Sequence, residues 1–251
     1  MKVALLGYGR MGRLIDSMSA SQDIDVVARI DKEGPITRES LKGAELCLDF
    51  SQGDAVLGHI GQACELGCDL VIGTTGWEAH QDAVRALVEE SGVGAITSPN
   101  FSIGVQIFFR LVREAAHLFN RIQGYDVAGY ELHHRLKSDS PSGTAIELSS
   151  LILEEMKSKK KAVYEVVDRE ILPEELQFTS VRCGSEMGKH TVIFDSPADV
   201  VQLTHEARNR EGFALGALMA AKWVHGKVGL FTMDQLVETL LNHREKICCR
   251  K

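Results

Sequence analysis

The feature that most restricts the fold is a short apolar run, Lys2–Leu6, that passes directly into Gly7-Tyr8-Gly9-Arg10-Met11-Gly12 and then into a helical periodicity at Leu14, Ile15 and Met18. This reads as strand, glycine turn, helix. The glycine spacing meets three requirements of a dinucleotide turn: a tight reversal, close approach of backbone to a pyrophosphate, and close packing of helix on strand. A second strand is expected over Ile24–Ile30, ending at Asp31 about twenty residues past the turn, where a carboxylate can accept hydrogen bonds from a ribose diol. Lys32 and Arg10 would instead attract a 2′-phosphate, so NADH and NADPH both remain open as cofactors.

Strand and helix signals continue to alternate. The segment from Lys32 to Lys42 is charged, contains Gly and Pro, and leaves little room for an ordinary crossover helix. Strands are expected over Leu46–Phe50, Asp69–Ile72 and Gly94–Thr97, with helices between them. The last two strands run into Gly73-Thr74-Thr75-Gly76 and Ser98-Pro99-Asn100-Phe101. Ligands of open parallel sheets bind outside the carboxyl ends of the strands, so the glycine loops should line such a crevice. After an apolar helix over Val105–Phe119 the pattern changes. Period-two alternation marks strands at Tyr125–Leu132, Leu176–Arg182, His190–Phe194 and Val200–His205, a set suited to a mixed or antiparallel sheet. Helices are expected over Ile146–Met156, Phe213–Val224 and Met233–His243, and a solvated basic turn over Lys157–Lys161. The expected fold is α/β, a Rossmann-type parallel-sheet domain joined to an α+β domain with a mixed open sheet.

The densest chemistry lies in Glu131-Leu-His133-His134-Arg135-Leu-Lys137-Ser-Asp-Ser-Pro-Ser142-Gly143-Thr144-Ala145. Imidazole gives and takes protons near neutrality, and a lysine ammonium is a compact donor charge. Ser142-Gly143-Thr144 leads into a helix whose first turn offers unpaired amides and a positive dipole end to a carboxylate or phosphate. A histidine pair or a Ser-Gly-Thr cap alone would read as structural; together they read as a site for protonating an anionic substrate. The formal net charge of −7 excludes an extended nucleic-acid surface, and no apolar run is long enough to cross a bilayer. A cytoplasmic location is expected. Six cysteines are thinly spread, which argues against a disulfide framework. Cys64 and Cys68 would share a helix face, but without a second His/Cys pair nearby they read as buried thiols, and no metal is expected. Cys248 and Cys249 read as exposed. His190 and His205 suit a cleft lining or a structural place equally, and Met219 and Trp223 read as core.

These stretches resemble the dihydrodipicolinate reductase family, the 4-hydroxy-tetrahydrodipicolinate reductases of diaminopimelate and lysine synthesis. The resemblance covers nearly the whole chain. It rests on Gly7–Gly12 with Arg10-Met11, on Gly73–Gly76, on Asn100-Phe-Ser-x-Gly-Val105, and above all on His133-His-x-x-Lys137-x-Asp-x-Pro-Ser-Gly-Thr-Ala145. The resemblance implies a discontinuous dinucleotide-binding domain (1–104 and 211–251) and a substrate-binding and oligomerisation domain (105–210). Hinges are expected near 102–104 and 210, with closure over the substrate. It implies His133 as catalytic acid/base and Lys137 as second proton donor, with His134, Ser142, Gly143 and Thr144 holding a small dicarboxylate. NADPH or NADH would lie against Gly7–Gly12, Asp31, Lys32, Gly73–Thr75 and Ser98–Phe101. It further implies a homotetramer assembled through the second domain's sheet, and hydride transfer to a cyclic imine dicarboxylate with loss of its 4-hydroxyl. Another imine or keto-acid reductase, such as an amino-acid dehydrogenase, and a non-catalytic dinucleotide sensor are the alternatives.

Overall fold

The computed structural model describes residues 1–31 and 34–242. Lys32, His243, Cys248 and Cys249 lie outside them. The chain divides into two compact units, Met1–Ile103 with the chain from Glu211, and Gly104–Arg210.

The first unit is built on strands β1 (Lys2–Leu6), β2 (Asp25–Ile30), β3 (Leu46–Asp49), β4 (Asp69–Ile72), β5 (Gly94–Thr97) and β11 (Gly229–Thr232). They pair in parallel in the order β11-β5-β4-β3-β1-β2. The core strands are apolar at successive positions because helices cover both faces. Ala4 and Leu6 face one core with Val56, Ile60 and Ala63 of α3 (Val56–Glu65) and Val84 and Val88 of α4 (Gln81–Ser91). Val3 and Leu5 face the other with Ile15 of α1 (Arg10–Ser19) and Ala214, Ala217, Ala220 and Ala221 of α7 (Glu211–Val224). Small residues let α7 lie close: a Cβ at Gly216 would collide with the carbonyl of Phe101. The helix α8 (Met233–Asn242) adds Met233, Leu236 and Val237. Each large side chain so buried contributes about 1.5–3 kcal/mol.

Several sequence expectations change here. The short segment after Asp31 contains a single helical turn, α2 (Arg38–Leu41), closed by a capping box between Thr37 and Ser40. Strand β11 was not anticipated: its four residues, two of them partly exposed, are too few to show a period. Cys68 is not on the helix with Cys64, because α3 ends at Glu65 and Gly67 turns the chain at φ +70°. Its thiol instead donates to the carbonyl of Ala44 at 3.5 Å, and with Cys47 and Cys64 it is buried. The neighbouring Cys68 and burial push the Cys47 thiol well up.

The second unit carries β6 (Asp126–His133), β7 (Lys161–Val163), β8 (Glu175–Arg182), β9 (Lys189–Asp195) and β10 (Val200–Glu206), in the order β10-β9-β6-β8-β7. The sheet is mixed: β6, β8 and β7 run parallel, while β9 and β10 are antiparallel to their neighbours. Strict alternation along β6 sends Val127, Gly129, Glu131 and His133 inward. There Val127, Phe178, Val192 and Phe194 pack on Phe108, Val112 and Ala116 of α5 (Ile103–Phe119) and on Leu148 and Ile152 of α6 (Gly143–Glu155). A side chain at Gly129 would strike the Phe178 ring.

The basic run at 157–161 turns at Lys157-Ser158 with Lys157, Lys160 and Lys161 exposed, as expected, but Lys159 departs from that reading. Lys159 is buried, and its ammonium donates to the carbonyls of Pro173 at 2.9 Å and Glu175 at 2.8 Å while pairing with Asp126 at 2.5 Å. Lys161 opens β7 opposite Glu175. Composition favoured solvent; unpaired carbonyls at the start of β8 decided otherwise.

Candidate active site

In the first unit the strand ends present the glycine turn. Gly7, at φ +87°, leaves β1 where a Cβ would stand 2.7 Å from the carbonyl oxygen of Phe50, and a Cβ at Gly12 would collide with the carbonyl of Gly7. Both positions therefore require glycine. Gly9 caps α1 without any side-chain hydrogen bond, so the first-turn amides meet no cap. Arg10, Met11, Gly73, Thr74 and Thr75 line a cavity of about 350 Å³ with Phe50, Ser51 and Gly53. A second cavity of about 580 Å³ takes Asp31 together with Arg29, Gly34, Pro35, Ser40 and Lys42. Open glycine turn, uncapped helix and a cavity at each of these strand ends fit a dinucleotide.

Several of the expected contact residues are also engaged within the protein. The Tyr8 hydroxyl donates to Asp16 at 2.5 Å, and Asp16 also takes both ends of the Arg29 fork at 2.6 Å. Hydrogen bonds from Arg29 and Tyr8, against the effect of burial, keep the Asp16 carboxyl below its usual range. Phe101 is buried, edge-on to Phe50 at 5.8 Å. Ser98 is turned onto the backbone of Asn100, whose side chain accepts the Ser102 amide at 2.9 Å. Ser98, Pro99, Asn100 and Phe101 thus form the built turn from β5 into α5, and none of the four lines either cavity.

The sequence reading missed the support behind Thr74. The buried Asp49 carboxylate accepts from Thr74 Oγ1 at 2.7 Å, from the Ser51 hydroxyl at 2.6 Å and amide at 3.0 Å, and faces His59 Nδ1 at 2.7 Å. An acidic residue ending an otherwise apolar strand was the available signal.

In the second unit the end of β6 and the start of α6 come together. Glu131 is the hub. Its Oε1 accepts from the Ser142 amide at 3.0 Å, Ser180 Oγ at 2.7 Å and the Arg182 guanidinium at 3.1 Å. Its Oε2 lies 3.2 Å from Nδ1 of His133 and 3.3 Å from Nε2 of His190. Burial would raise this carboxyl, but its contacts with His133, His190, Ser142 and Ser180 prevail and hold it far below the carboxylate range. Burial lowers His190, against the pull of Glu131.

Two further positions shape the anion end. Ser142 Oγ accepts from the Ala145 amide at 3.2 Å and meets His190 Nε2 at 3.1 Å, so this hydroxyl serves as helix cap, while Gly143 is exposed and Thr144 half-buried in the first turn of α6. Lys137 holds both oxygens of Asp139 at 2.8 Å. Half-buried His134 has no partner for Nδ1. Glu131, His133 and His190 bring potential metal-ligand atoms within 4.8 Å of one another, but Arg182 on the same carboxylate opposes a further cation. Among the described residues, no helix is long and apolar enough to cross a membrane.

Known proteins match most of this chain. The models for the N-terminus and the C-terminus of dihydrodipicolinate reductase cover residues 1–101 and 104–237. The 4-hydroxy-tetrahydrodipicolinate reductase of Christiangramia forsetii is 35% identical, across 97% of this chain and 100% of its own. That of Archaeoglobus fulgidus is 36% identical, across 95% and 100%. The solved dipicolinate-bound dihydrodipicolinate reductase of Paenisporosarcina sp. TG-14 shares the fold, with a TM-score of 0.75 and 24% identity over 92% of this chain and 97% of that one. An amine dehydrogenase from Mycobacterium smegmatis shares only the general fold, at 11% identity and a TM-score of 0.59 over 93% of this chain and 95% of that one. With two family models that between them take in both units, and relatives matched over 95–97% of its length, the chain belongs to the dihydrodipicolinate reductase family.

Proposed function

We propose that the chain reduces 4-hydroxy-tetrahydrodipicolinate to tetrahydrodipicolinate and water, with His133 as the acid and Lys137 as its partner. The observation that carries this is the Glu131 bridge, which places the buried imidazole of His133 beside the first turn of α6. The chain is an NAD(P)H-dependent oxidoreductase of its family. In the first unit the turn Gly7–Gly12 would take the pyrophosphate, Asp31 the ribose, and Gly73, Thr74 and Thr75 the inner cavity. Bound there, a reduced nicotinamide supplies the hydride.

The second unit provides the rest. His133 gives a proton to the reduced product or to the departing hydroxyl, a contribution of typically about 10²–10⁴ fold. Lys137, once a substrate carboxylate competes with Asp139, holds one end of a small dicarboxylate. The first turn of α6, at Gly143 and Thr144, holds a carboxylate through its amides and dipole, with His134 beside it. Ser142 acts as the cap that shapes this turn.

Assembly as a homotetramer is supported by the outer face of the mixed sheet, where half-buried Ala128, Tyr130 and Ile193 lie among exposed Val181 and Val200. A reducing compartment, the cytoplasm, suits the free buried thiols. The test is oxidation of NADPH and of NADH on freshly formed 4-hydroxy-tetrahydrodipicolinate. Turnover with either supports the reading. Tight nucleotide binding without turnover would favour a sensor, and turnover only with keto acids another reductase.

A further inference from the structure

The reaction just described uses Glu131 only as the bridge between His133 and the turn of α6, and leaves open what its carboxylate does to the imidazole it touches. Glu131 has 0% side-chain exposure. Three donors serve its Oε1. Neither Oε2 nor Nδ1 of His133, 3.2 Å apart, makes an aligned hydrogen bond to any other group. A buried acceptor and a buried ring nitrogen left without partners cost free energy on both sides unless they serve each other. Such contacts are commonly misaligned before ligand binds and tighten afterwards. The opposite nitrogen, Nε2, faces Gly188, where a Cβ would stand 3.0 Å away, and φ +144° there excludes an ordinary side chain. The structure thus keeps Nε2 approachable and Nδ1 enclosed.

We infer that Glu131 is a positioning residue: Oε2 accepts the Nδ1 proton of His133, so that Nε2 is the nitrogen that delivers the proton, while Oε1 locks this ring to the turn of α6. The inference rests on His133 being the acid. The groups that face Glu131 are His133 on β6, Ser180 and Arg182 on β8, His190 on β9 and Ser142 at the head of α6. Arg135, Lys137 and Asp139 supply the charges of the intervening loop, which also carries His134. Arg182 offsets part of the negative charge. The remainder stabilises a protonated ring at His133; an amide in its place carries no charge, and with its oxygen held by the three donors it would present an N–H, not an acceptor, to Nδ1.

The experiment combines ring-nitrogen NMR of the resting wild-type enzyme, labelled with 15N-histidine, with kinetics of Glu131→Gln and Glu131→Asp. The neutral His133 ring should carry its proton on Nδ1. Glu131→Gln should lower kcat by about 10² fold or more, leave both KM values within about threefold, and move the alkaline limb of the kcat profile to lower pH by about one unit. Glu131→Asp should recover part of both effects. A neutral wild-type ring protonated on Nε2, or an unmoved pH profile in a folded Glu131→Gln enzyme, would overturn the inference. The NMR arm needs neither turnover nor a folded variant. Retained activity in His133→Ala would instead remove the acid assignment itself.

Discussion

The Ser142 amide donates to Oε1 of Glu131 at 3.0 Å, and this one bond fastens the head of a helix to the end of a strand eleven residues earlier in the chain. It explains why the first turn of α6 and the imidazole share a patch. It also isolates the turn for testing. A Cβ at Gly143 meets nothing within 4 Å, and alanine is a better helix former than glycine. Gly143→Ala should therefore fold with an unchanged or slightly raised Tm. Because the added methyl stands where a carboxylate would approach, substrate KM should rise about tenfold, with the Kd for NADPH unchanged. Steady-state kinetics beside nucleotide titration would check this; an unaltered KM would remove the first turn of α6 from the substrate site.

Lys159 makes a separate prediction about stability. Its ammonium satisfies two carbonyls and pairs with Asp126 from a nearly inaccessible position. Lys159→Ala leaves those carbonyls unmet, and hydrogen bonds from a charged donor are worth about 1.5–3 kcal/mol. A loss of this size should appear in urea unfolding. A midpoint within error of wild type would mean that solvent replaces the ammonium.

How much of this was legible beforehand differs by residue type. Gly7 and Gly12 declared the dinucleotide turn because backbone constraints there permit no substitute. A strand was legible as far as Leu132, but that it continues to His133 and turns that ring inward was not. Lys159 was misread because charge predicts solvent only where no buried carbonyl needs a donor. Glu131, Arg182, Ser180 and His190 could not be joined from sequence, since register across three strands brings them together. For Ser98 and Phe101 the structure adds that their motif forms the turn from β5 into α5, with Phe101 buried beside Phe50, which nothing in the residue types announced.

Burial makes His205 sensitive to pH. Desolvation, helped by the neighbouring His190, lowers it from its usual range, and its ring lies 6.0 Å from that of Phe108. In the unfolded chain an ordinary histidine takes a proton near pH 6.5, where the folded state resists. Falling pH through that value therefore favours unfolding, until the folded form also protonates. His205→Gln should lose less stability than wild type between pH 7.5 and 5.5, read as urea midpoints. Parallel losses would contradict the sign.

The most direct measurement of the central claim is turnover of 4-hydroxy-tetrahydrodipicolinate by His133→Ala beside wild type, followed as NADPH oxidation, with nucleotide Kd determined on the same samples. The account predicts a kcat lower by about 10²–10⁴ fold with Kd for NADPH essentially unchanged, because His133 belongs to the second unit and the glycine turn to the first. Full turnover in His133→Ala would contradict it.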